Sequence, residues 1–200
     1  MLFTELIFAT HKAFTDAGID HAFGGALALM HYVGEPRTTW DIDINVSVPK
    51  EDADVVVQAL AGIVEASQDQ VAMLKRDGQV RLMAGRYPID IFLAVHEFHE
   101  EMRLMSSLRL FGNTKLPYIS ATHLVVLKAM FNRSKDWVDI EAMLVHGSVD
   151  IPRAIGWLVT LLGDDNDAPA RVRALSLLED TAAPTAAQLF KPKALWGEEA

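Results

Sequence analysis

Trp40-Asp41-Ile42-Asp43-Ile44-Asn45-Val46 alternates apolar and polar residues at every step, the period of a β-strand with one buried face. Asp41 and Asp43 therefore project from the same face, only about 6.5 Å apart. Two ionised carboxylates at that spacing repel each other, and a divalent cation between them relieves the repulsion. A third acid, Asp90, stands alone in the otherwise apolar stretch Tyr87-Pro88-Ile89-Asp90-Ile91-Phe92-Leu93. Three acids on strands this apolar are not surface decoration, and Phe23-Gly24-Gly25 precedes them all.

Outward from these segments the chain reads as an α/β half followed by a helical half. A first helix is expected over 2–17, a short strand over 20–24, and a helix from Ala26 to Val33, closed by Gly34 and Pro36. Strand 40–48 leads to a helix from Pro49 to about Gly62, then to strands 79–84 and 87–94 around Ala84-Gly85-Arg86. A helix over His96–Met105 and a hairpin over 108–118 complete a small mixed sheet with flanking helices. Ser120 is the expected N-cap of a helix over 121–132, and helices over 134–146, 151–162 and 168–179 follow. The domain division expected is 1–118 for the α/β unit, 119–180 for the helical unit, and 181–200, rich in Ala and Pro, as a tail or docked strap.

Composition bounds the function. Of 200 residues half are hydrophobic and 22% charged, which is globular, and no stretch approaches the ~20 apolar residues of a membrane span. The start Met1-Leu2-Phe3-Thr4-Glu5 lacks a secretory pattern, so a cytoplasmic protein with no membrane partner is expected. With no cysteine, the chain has neither disulfides nor thiolate chemistry. The net charge of −9 argues against a protein that coats nucleic acid, yet between Val71 and Lys135 ten basic residues face five acidic ones. That block is either ordinary solvated charge or a local attraction for an anionic substrate near Asp90.

The order Gly-Gly, Asp-x-Asp, then a lone Asp on a later strand resembles the nucleotidyltransferase superfamily that includes DNA polymerase β. Phe23-Gly24-Gly25-Ala26-Leu27-Ala28, Arg37-Thr38-Thr39 and the run from Leu127-Lys128-Ala129 to Arg133-Ser134-Lys135-Asp136-Trp137-Val138-Asp139-Ile140 make it most similar to the AbiEii-type abortive-infection branch. The resemblance implies the minimal nucleotidyltransferase fold, with a C-terminal helical bundle, and transfer of a nucleoside monophosphate from an NTP to an acceptor hydroxyl. It implies Mg²⁺ or Mn²⁺ held by Asp41, Asp43 and Asp90, with Asp90 also placed to accept the hydroxyl's proton. Gly24 and Gly25, lacking a Cβ, would let backbone N–H groups approach phosphate at a helix start, where many members carry Gly-Ser instead. Arg37 and Thr38 would touch the triphosphate, and Lys128, with Arg133 and Lys135, would neutralise the phosphates or the leaving pyrophosphate. Asp136 and Asp139 share a helix face and either orient Lys128 or Arg133 or, for Asp136, simply cap the helix.

In that branch the enzymes are toxins of toxin–antitoxin pairs, so an antitoxin partner and a tRNA acceptor are implied, with a protein or small-molecule acceptor as alternatives. A related reading is an antibiotic nucleotidyltransferase acting on an aminoglycoside or lincosamide, which an acidic protein suits. A third is a non-catalytic nucleotide-binding or antitoxin protein of the same fold. His96 and His99, one turn apart, read as a solvated helix face, because no third metal ligand of the right kind is nearby.

Overall fold

The computed structural model describes residues 1–34 and 38–181. Arg37 and the Ala- and Pro-rich segment from 182 onward lie outside the described residues. Helix α1 (Phe3–Asp16) leads to β1 (His21–Phe23), α2 (Gly25–Leu29) and β2 (Ile42–Val46). A single 3₁₀ turn (Lys50–Asp52) then runs into α3 (Ala53–Ala59), α4 (Gln68–Asp77) and the hairpin β3 (Gln79–Ala84) and β4 (Tyr87–Leu93). After α5 (Glu97–Leu104) come a second hairpin, β5 (Ser107–Phe111) and β6 (Thr114–Tyr118), and the helices α6 (Ala121–Phe131), α7 (Ser134–Val145), α8 (Ile151–Leu162) and α9 (Asp167–Thr181).

The six strands found among the described residues form one mixed sheet in the order β3-β4-β2-β1-β6-β5. The neighbouring strands β2 and β4 are parallel, with Asp43 beside Asp90 and Asn45 beside Phe92. Ile42, Ile44 and Val46 of β2 and Ile89, Ile91 and Leu93 of β4 are buried. On that face α1 crosses the sheet, its Phe3 ring 5.3 Å from Tyr87 and its Phe8 ring 5.7 Å from Phe111. The alternation read from 40–46 is thus real: one face of the strand joins the core, and the other carries the acids.

Three elements differ from the sequence expectation. The helix after Gly24-Gly25 ends at Leu29, with turns rather than helix up to Gly34. The helix expected from Pro49 to Gly62 is split into the 3₁₀ turn and the seven-residue α3. Between Ser67 and Gly78 lies α4, for which no helix was expected, because only Leu74 of its ten residues is buried and apolar periodicity is missing. Its ends are nevertheless well made: Ser67 and Gln70 form a reciprocal capping box, and Gly78 closes the helix at φ 72°.

Candidate active site

Asp43 sits at the centre of the site because β2 is a central strand and its outward face is left free by the core. Gly24 donates its N–H to the Asp43 carbonyl at 2.8 Å, which fixes the end of β1 beside the acid. That N–H is therefore spent on the backbone and is not free for phosphate. Gly25 adopts φ +50°, and a Cβ there would run into the Asp43 carboxylate. Its missing side chain makes room for Asp43 itself, a closer constraint than the phosphate contact expected from a Gly-Gly turn. With only five residues, α2 has a small dipole to offer.

The carboxylates are differently engaged. Asp41 accepts a short hydrogen bond from the Thr39 hydroxyl. Thr38, by contrast, is exposed, so the hydroxyl that reaches the acids is the next one along. Asp90 is held by Arg81, which donates from Nε to Oδ1 at 2.7 Å and from Nη2 to Oδ2 at 2.6 Å. Asp43 is the group under stress: burial, then the charges of Asp41 and Asp90, push its acid up to about 6, against the opposing pull of Lys128 and Arg133. No three acids or histidines among the described residues converge as a ready-made metal cage.

Lys128 comes to this face from α6, and only 4% of its side chain is exposed. Its Nζ lies 2.6 Å from Asp139 Oδ2 and 3.7 Å from Asp136 Oδ1. Both acids project from α7, so the helix after Arg133 aims the lysine. Asp136 also caps α7, accepting from the Arg133 N–H at 3.2 Å, and pairs with the Arg133 side chain at 2.6 Å. Burial raises the Asp136 carboxyl, but the Arg133 hydrogen bonds and the Lys128 charge outweigh it and hold the group low. The two accounts of Asp136, cap and ion pair, are therefore both true.

A cavity of about 350 Å³ opens over the three acids. Gly25, Arg81, Lys128, Arg133 and Lys135 line it with the acids, and Phe92, Leu124, Leu127 and Phe131 give it apolar walls. Phe131 is 49% exposed at the mouth, its ring 6.3 Å from Phe92 and beneath the Arg133 guanidinium at 4.9 Å. A smaller cavity of about 210 Å³ continues along the same sheet face and shares Asn45, Phe92 and His99. The reading of His96 and His99 as a solvated face holds for His96 and is corrected for His99. His96 is exposed and caps α5, whereas His99 turns into the wall between the cavities, with Nδ1 sealed from solvent and burial lowering its basicity. Arg81, Thr39, Phe92, Phe131 and His99 were not singled out as site residues from the sequence; of these, Arg81 had a signal, since the two-residue turn at Gly85-Arg86 puts it opposite Asp90.

The fold is similar to those of several solved structures. The antibiotic-resistance factor ANT(2'')-Ia is similar over 88% of this chain and 90% of its own, with 14% identity and a TM-score of 0.50. An antigenic nucleotidyltransferase-like protein from Paracoccidioides brasiliensis covers 84% of this chain and 90% of its own at 15% identity and a TM-score of 0.45. JHP933 from Helicobacter pylori covers 89% of both at 14% identity and a TM-score of 0.45. No curated protein matches the chain. Residues 11–197 match the family described as nucleotidyl transferase AbiEii toxin, Type IV TA system. That match spans Asp41, the strands bearing Asp43 and Asp90 and the helices bearing Lys128 and Asp139, and on it the chain belongs to the AbiEii family of nucleotidyltransferases.

Proposed function

We propose that this nucleotidyltransferase moves a nucleoside monophosphate from an NTP to a hydroxyl of a cellular RNA, tRNA foremost, and does so as a toxin opposed by an antitoxin. The observation that carries the reading is the placement of Asp43 beside Asp90 in register, with Asp41 and Lys128 lining the same cavity and the Lys128 charge acting on Asp43. Three carboxylate side chains are hard oxygen donors, and burial first, then the charges of Asp41 and Asp90, raise the pKa of Asp43, a strain on its ionised form that a divalent cation would relieve. Asp41, Asp43 and Asp90 would hold Mg²⁺ or Mn²⁺. Such ions, when bound, offset the charge of the triphosphate and of the leaving pyrophosphate.

The chain's own residues do the rest. The acceptor oxygen attacks the α-phosphorus, the bond from that phosphorus to the α–β bridging oxygen breaks, and pyrophosphate leaves with the bond electrons. Asp90 takes the acceptor's proton. Lys128, held by Asp139, meets the developing charge on the phosphates as a fixed cation, and Arg133 and Lys135 at the cavity edge serve the same anion. Arg37 and Thr38 belong to this phosphate-binding proposal through their place just before Asp41. The exposed cations of the rim also suit an RNA backbone, and membership of a toxin family favours an acceptor on which growth depends. A small-molecule acceptor, as in ANT(2'')-Ia with its adenylyl-2''-tobramycin product, is the competing reading. The test uses each NTP labelled at either the α- or the γ-phosphate, with Mg²⁺ and either total cellular RNA or tobramycin as acceptor. Label from the α-position alone should enter RNA, with release of pyrophosphate; label entering tobramycin and not RNA would assign the competing acceptor.

A further inference from the structure

Arg81 stands directly across the hairpin from Asp90, and its guanidinium occupies both carboxylate oxygens in a two-pronged fork. This is the geometry in which arginine binds a carboxylate most tightly. The two partners are unequally placed, since the Arg81 side chain is 59% exposed and that of Asp90 only 14%. Asp90 is fixed in a central strand, while Arg81 is on β3 at the sheet edge. The backbone of Arg81 is anchored, because Gln70 Nε2 donates to its carbonyl at 2.9 Å. Parting the pair is therefore a side-chain rotation into the cavity and needs no movement of the strand. The guanidinium is held firmly protonated by its hydrogen bonds to Asp90 and by the charges of Asp90, Asp41 and Asp43. It lies within the combined field of all three acids.

We propose that Arg81 is a positioning residue that competes with the divalent cation for Asp90. While the fork is closed the third carboxylate is withheld, and it becomes available only when Arg81 turns away. A cation placed on oxygens already shared with a guanidinium would set like charges about 4 Å apart, which disfavours joint occupancy. Once released, Arg81 remains in the cavity and can grip a phosphate in the same forked geometry. A metal–nucleotide complex brings both replacements together, a cation for Asp90 and a phosphate for Arg81, so the exchange couples metal binding to nucleotide binding. The inference rests on Asp90 being a metal-binding carboxylate, as proposed above.

The experiment measures Mn²⁺ affinity of the full chain without nucleotide, by titration calorimetry and by the loss of the free-ion electron paramagnetic resonance signal. Arg81→Gln is expected to bind Mn²⁺ roughly tenfold more tightly than the unaltered chain, with Arg81→Lys between the two, as outer partners of a metal ligand shift affinity on this scale. The gain should vanish when Asp90→Asn is added. Circular dichroism confirms that each variant is folded, which the exposure of Arg81 on an edge strand favours. If Arg81→Gln binds equally or more weakly while Asp43→Asn abolishes binding, Arg81 supports Asp90 instead of competing for it, and this inference alone is overturned. Absence of Mn²⁺ binding in the unaltered chain and in Arg81→Gln alike overturns the metal reading of the three acids together with it.

Discussion

Gly25 and Asp43 form one structural unit, since the positive φ of the first leaves the space that the carboxylate of the second fills. Gly25→Ala is expected to leave a folded protein whose transfer rate falls by at least about a hundredfold, because a misplaced ligand at a reacting centre costs on that order. Asp43 itself is held against its preference. Its pKa rises from 3.8 to about 6, so protonation is easier in the folded state than in the unfolded chain. The resulting stabilisation is complete below about pH 4 and is lost as the pH climbs through about 6. In EDTA, Asp43→Asn should therefore match the parent near pH 4 and exceed it by about 2–3 kcal/mol at pH 7.5, as read by chemical denaturation. A parent that is the more stable of the two at pH 7.5 contradicts this. The acids were legible in the sequence because strand alternation places them on one face, and the glycine pair because it breaks a strand. The nearness of Gly25 to Asp43 was not legible, since it depends on how β1 pairs with β2 across some twenty residues of intervening chain.

At the scale of elements, the α6–α7 corner governs the lysine. Asn132 turns the chain in the left-handed region at φ 53°, and its side-chain oxygen accepts from Trp137 Nε1 at 2.7 Å, so α7 returns along α6. Lys128 then meets Asp139 in a nearly dry contact. Removing Asp139 leaves the buried Lys128 only the more distant Asp136, and Asp139→Ala should cost about 3 kcal/mol by urea denaturation. Lys128→Met with Asp139→Leu should recover much of that stability and none of the activity. Full activity in the repaired pair would show that Lys128 holds helices together and nothing more. The pairing of Lys128 with α7 was readable as helix periodicity, and the hairpin register linking Arg81 to Asp90 follows from a two-residue turn. The parallel register of β2 and β4 was not readable, because a crossover of some forty residues leaves it to packing. Helix α4 escaped notice for the opposite reason: it buries a single side chain and is specified by its caps.

Across the whole molecule the sheet separates two tasks. One face carries the apolar rows of β2 and β4 against α1, and the other carries Asp41, Asp43 and Asp90 beneath the helices that supply Lys128 and Arg133. A chain of net charge −9 thereby gathers several of its cations, Arg81, Lys128, Arg133 and Lys135, around one cavity. Among the described residues no helix is long and apolar enough to cross a membrane. The account stands on the three carboxylates acting as one unit, each needed for the same step. Single-turnover transfer rates of Asp41→Asn, Asp43→Asn and Asp90→Asn, with folding verified for each, test it directly. Each variant should lose about a thousandfold or more in rate, and any one of them retaining a rate within about tenfold of the parent would contradict it.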